Sequence, residues 1–150
     1  MKQVVNRLIF LLSILGILIS LYLLEKYITG EHIACGPKSG SFDCDAVRSS
    51  AYSSVGGIPL PFFGLVFYLL IFILSFLKTI LVSKEILLNY LLIISAAVGL
   101  LVSGYLLYLE LYVIHAICLW CTISGLISLS IFILTLCLKF LNSSGTPSKV

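Results

Sequence analysis

Charge is the first thing this sequence lacks. Only 10% of its 150 residues are Asp, Glu, Lys or Arg, where a soluble domain carries roughly 25%. That shortage excludes a water-soluble single domain. There is no basic patch, so a nucleic-acid role has nothing to rest on. No internal repeat and no second domain stand out. The first apolar run is not followed by a small-residue cleavage site. "EKYITGE" comes next, which excludes a signal peptide. Segments of about 10 residues with alternating polarity, the mark of a membrane barrel, are missing too.

What the chain has is hydrophobicity, at 61%. It gathers into four long runs: Leu8 to Leu24, Pro61 to Leu77 (extending to Val82 if Lys78 snorkels), Ile86 to Leu109, and Cys118 to Leu138. A span takes about 20 apolar residues, and continuous runs in lipid must be helices to satisfy their backbone. The expected fold is an all-α integral membrane protein, a bundle of four transmembrane helices. Residues 1–141 form its helical domain and 142–150 a polar cytoplasmic tail. Ser95, Gly99 and Ser103, and likewise Gly16 and Ser20, repeat at the spacing that lets helices approach closely.

Loop charges orient the bundle. Lys2, Arg7, Lys78, Lys84, Lys139 and Lys149 fall on one side; Lys26, Lys38 and Arg48 fall on the other. The positive-inside rule puts both termini in the cytoplasm. The large loop, residues 25–60, is then outside. Within it "DCDAVRSSAYSSV" reads as a short amphipathic helix capped by Asp43 or Asp45, with Val47, Ala51 and Val55 on one face and Gly56 and Gly57 ending it.

Four of the five cysteines therefore face an oxidising compartment. Cys35 and Cys44 lie in the loop, separated by a stretch that includes Gly36, Pro37, Ser39 and Gly40. Cys118 and Cys121 open the fourth span. Cys137, at the inner end, reads as a free thiol. At a helix N-terminus the dipole and free N–H groups favour a thiolate, the species that attacks disulfides. Two pairs on one side suggest a relay: the loop pair meets a soluble partner, and the deeper pair meets a lipid-soluble quinone. Zinc held by the pair with His115 and the loop cysteines, or a purely structural disulfide network, are the alternatives. Trp120 and His115 read as interfacial residues, Glu110 as the end of the third span, and Asn89 as a polar group facing protein.

The set "C…CDAVRSS", "GIPLPFFGLVFY" and "SGYLLYLELYVIHAICLWC" resembles the vitamin K epoxide reductase family in its small prokaryotic form, over roughly Leu8 to Leu138. The disulfide bond protein B type, another quinone-linked family, carries its Cys-x-x-Cys in the first loop instead. The resemblance implies a multi-pass protein of a prokaryotic plasma membrane with its active site outside. Cys118 and Cys121 would be the active-site pair, with Cys121 facing a menaquinone or ubiquinone. Cys44 would exchange with Cys118, and Cys35 with the partner. Ser50, Leu60, Phe63, Phe67 and Gly125 would line the quinone site, and no metal is implied. Leu60 and Gly125 stand where animal members have hydrogen-bonding Asn and Tyr, which argues against epoxide reduction. No thioredoxin-like domain follows Leu138, so the expected partner is a separate thioredoxin-fold protein.

Overall fold

The computed structural model describes residues 1–35 and 43–143. The stretch between the loop cysteines, with Lys38, and the tail from residue 144 lie outside the described residues. The elements run α1 (Lys2–Thr29), α2 (Cys44–Ser49), β1 (Ser54–Val55), β2 (Ile58–Pro59), α3 (Leu60–Ile80), α4 (Glu85–Leu109) and α5 (Leu119–Ser143). A π-helical turn, Glu110–Ile114, extends α4. Four helices are long and apolar enough to cross a membrane: Lys2–Thr29, Leu60–Ile80, Glu85–Ile114 and Leu119–Leu141. They form a ring, with α1 against α3 and α5, and α4 against α3 and α5. The expected bundle is what the chain builds.

The helices overrun the expected spans because apolar runs mark the lipid-facing length, while helical hydrogen bonding continues into polar flanks. Thus α1 starts at Lys2 and ends only where Gly30 turns left-handed, at φ 71°. Helix α5 continues to Ser143, past the expected boundary after residue 141.

Small residues set the helix contacts. A Cβ on Gly16 would overlap the Tyr68 ring, and one on Gly99 would overlap the Phe67 ring. Ser20 Oγ lies 3.1 Å from where a Gly64 Cβ would sit. Ser103 faces Gly125 in the same way, at 3.8 Å. Between them is a core of Ile9, Tyr68, Ile71, Leu92, Ala96 and Ile131, while Leu11, Leu18, Ile73 and Leu101 point outward, as lipid requires. At the far end from the loop, Asn6 Nδ2 donates to the Ser75 carbonyl at 3.2 Å, and the buried Lys78 ammonium donates to Asn89 Oδ1.

The loop differs from expectation. Helix α2 is only six residues long. Asp43 caps it by accepting the Ala46 N–H at 2.9 Å, and Ser50 ends it in extended conformation. Gly56 and Gly57, at φ 61° and 82°, do not terminate a longer helix. They turn a two-stranded antiparallel hairpin that pairs Val55 with Ile58. The Val47–Ala51–Val55 stripe therefore does not exist: Val47 packs on the core, while Ala51 and Val55 are exposed.

Candidate active site

Cys35 and Cys44 are joined as a disulfide, with Cα atoms 5.8 Å apart. Cys118 and Cys121 are free thiols. Backbone hydrogen bonding brings the two pairs together: the Asp43 N–H donates to the Ile117 carbonyl at 3.1 Å. The residue ahead of Cys44 is thereby fastened to the residue ahead of Cys118. Both sulfur-bearing residues are buried in the same core cluster, Cys44 at 1% exposure and Cys118 at 2%. Cys121, at the next position on the same helical face, is only half-buried.

Several contacts hold the loop over the dithiol. Trp120 Nε1 donates to the Ala34 carbonyl at 2.8 Å, and its ring tilts against Tyr22 at 5.1 Å between centroids. The indole thus clamps the residue next to Cys35, a contact the sequence did not reveal. Asp45 accepts from His32 Nδ1 at 2.7 Å and from the Ile33 N–H at 3.3 Å. The His32 hydrogen bond holds the Asp45 carboxyl below its usual range; partial burial opposes the shift, and the Ile33 N–H reinforces it. Arg48 reaches from α2 to the Lys26 carbonyl at 3.2 Å, which ties the loop helix to the end of α1.

The dithiol has its own support. The Cys121 N–H points at Cys118 Sγ at 3.3 Å, as a helix N-terminus allows. Cys118, one residue ahead of the spanning helix, is held below the ordinary thiol range. The main cause is its hydrogen bond with the Cys121 side chain; burial opposes it, and backbone N–H groups add to it. Glu110 is 3% exposed, and its Oε2 accepts the Cys118 N–H at 3.0 Å. A Glu110 oxygen and the sulfurs of Cys118 and Cys121 lie within 4.8 Å of one another. Sequence reasoning took Glu110 for a span end; the missed signal was an acidic residue eight positions before Cys118. The zinc set expected from sequence is not assembled, since the loop cysteines bond to each other and His115 is exposed; Glu110, Cys118 and Cys121 form instead a group with ligand atoms close enough to share a metal ion.

A family model for the vitamin K epoxide reductase family matches residues 7–136. The chain belongs to that family. No curated protein matches it. Membership makes this a multi-pass membrane oxidoreductase with a quinone-linked redox role.

The vitamin K epoxide reductase resemblance assigned quinone contacts to five further residues. Ser50 Oγ donates to the Val47 carbonyl at 2.7 Å, which closes α2. The Leu60 N–H donates to the Ser53 carbonyl at 3.0 Å and joins the hairpin to α3. Phe63 is 45% exposed and packs edge-on against Phe62. Phe67 turns inward onto Gly99 and Tyr68. Gly125 lies one turn beyond Cys121, and Ser103 packs at its missing side chain, 3.8 Å from where a Cβ would sit. The Tyr68 hydroxyl, buried and not foreseen, donates to the Ser124 carbonyl at 2.7 Å.

The chain's residues fit a quinone beside Cys121. Cys121 is the less buried residue of the pair, Gly125 presents no side chain one turn beyond it, and the buried Ser128 hydroxyl on the same stripe has no partner among the described residues.

Proposed function

We propose that this family member is a thiol oxidase that reoxidises a thioredoxin-fold partner outside the cytoplasm and passes the electrons to quinone. The partner's thiolate attacks Cys35 and frees Cys44. Cys44 attacks Cys118 of an oxidised Cys118–Cys121 pair, so the Cys44–Cys118 bond forms and Cys121 leaves with the electron pair. Cys35, released by the partner's second thiol, then attacks Cys44. This restores the loop disulfide and leaves Cys118 and Cys121 reduced. Bound quinone supplies the two-electron, two-proton acceptor that reoxidises them. Gly125 and Ser128 would hold it beside Cys121.

The observation that supports this reading is the Asp43–Ile117 bond, which joins the residues just ahead of Cys44 and Cys118, with Cys121 the less buried of its pair. Direction depends on potentials, at about 1.4 kcal/mol per 30 mV for two electrons. In the proposed orientation both termini are cytoplasmic and the loop faces out, as the basic residues indicate. The test is quinone reduction by purified protein with a reduced thioredoxin-fold dithiol. Cys121→Ala should abolish it, and full activity in that variant would sink the assignment.

A further inference from the structure

The relay has a proton to manage. A thiol leaving in apolar surroundings is a poor leaving group unless it is neutralised. Glu110 sits where that proton is needed. It is nearly fully buried, its Oε2 takes the Cys118 N–H, and its carboxylate and both sulfurs are within 4.8 Å. Among the described residues it makes no ion pair with Lys or Arg. Its other side borders an open cavity of about 180 Å³, lined by Glu110, Leu111, His115 and Ile117.

The π-helical turn creates this arrangement. The Glu110 carbonyl accepts from both His115 and Ala116, and His115 is left-handed at φ 56°, a conformation His tolerates better than most residues. The turn leaves the carboxylate inside and the His115 side chain exposed. Other charges are committed or distant. Helix α2, packed on this turn, carries Asp45 and Arg48; Asp45 is engaged by His32 and Ile33, and Arg48 by Asp45 and Lys26. The spans α4 and α5 carry charge only at their far ends, at Glu85 and Lys139, and Tyr105, Tyr108 and Tyr112 are exposed.

We propose that Glu110 is the acid–base residue for Cys121: it protonates that sulfur when the Cys118–Cys121 bond breaks and takes the proton back when the bond re-forms. As Cys44 attacks Cys118, the departing electron pair stays on Cys121. Glu110 donates the proton, becomes a carboxylate, and is reprotonated from water through the cavity beside His115. The inference rests on the relay described above.

The test uses full-length protein, oxidised at Cys118–Cys121 and free of quinone, with dithiothreitol as reductant. Quenched alkylation and mass spectrometry follow release of the Cys121 thiol across pH. The wild type should give a bell, rising as the attacking thiol ionises and falling as Glu110 loses its proton. Glu110→Gln should be slowed about 100-fold near neutrality, the scale of general acid catalysis, and should lose the falling limb. Glu110→Asp should keep the bell. A Gln variant with the wild-type bell overturns the proposal. So does equal slowing of Cys35–Cys44 reduction, which would mark a structural role; and so does loss of the bell in Glu110→Asp. A wild-type bell without quinone turnover would instead defeat the thiol-oxidase reading and leave this one standing.

Discussion

The Asp43 N–H donates to the Ile117 carbonyl across 3.1 Å, so the residues immediately ahead of Cys44 and Cys118 are hydrogen-bonded to each other. Helix α2 and helix α5 each begin at or next to one of these cysteines. One backbone bond therefore aligns the starts of the two helices. The chemistry proposed for the protein depends on that alignment surviving while the loop disulfide opens and closes.

Trp120 is the second tie. Trp120→Phe keeps the ring near Tyr22 but removes the donor to the Ala34 carbonyl. A lost hydrogen bond costs roughly 1 kcal/mol, about a fivefold change in an opening equilibrium. Cys35–Cys44 should be reduced about fivefold faster in the variant when a water-soluble dithiol is timed against the wild type. An unchanged rate would show that the indole does not restrain the loop.

Asp45 makes the loop's docking depend on pH, and the sign follows from its shift. Its folded pKa is depressed, mainly by His32. The stabilisation is therefore fully present above the unfolded value of about 3.9 and is lost as pH falls through the folded value. Reduction of Cys35–Cys44 by a phosphine, which works in acid, should show loop opening only below about pH 4. Asp45→Asn should make the loop disulfide modestly easier to reduce at neutral pH, and its reduction should vary less with acid. The contribution is modest because the group is partly exposed.

Helix contact at Gly99 predicts a stability effect separate from chemistry. Any side chain there meets the Phe67 ring. Gly99→Val should cost on the order of 1–3 kcal/mol, read as a lower unfolding temperature in detergent. Gly104→Val on the same helix, where a Cβ meets nothing within 4 Å, should be near neutral.

The spans were legible because lipid imposes a length and a polarity that composition alone reveals. The pairing of Cys35 with Cys44 and the closeness of Cys118 to Cys121 were legible through spacing and family resemblance. The hairpin at Gly56–Gly57 was not, because two glycines end a helix as readily as they turn a strand. The contributions of Trp120, Tyr68 and Glu110 were hidden for a different reason. Each acts through a partner far away in sequence or through a π-helical turn, and neither leaves a periodic trace. Trp120 bonds across 86 positions and Tyr68 across 56.

The central claim is that electrons cross from the loop to the membrane pair through Cys44 and Cys118. Cys35→Ser tests it most directly, because without Cys35 the resulting mixed disulfide cannot resolve. Mass spectrometry of the variant, prepared with an oxidised Cys118–Cys121 pair, should find the peptide of Cys44 linked to the peptide of Cys118, with Cys121 free to alkylate. Linkage of Cys44 to Cys121, or an intact Cys118–Cys121 bond beside a free Cys44, would contradict the account.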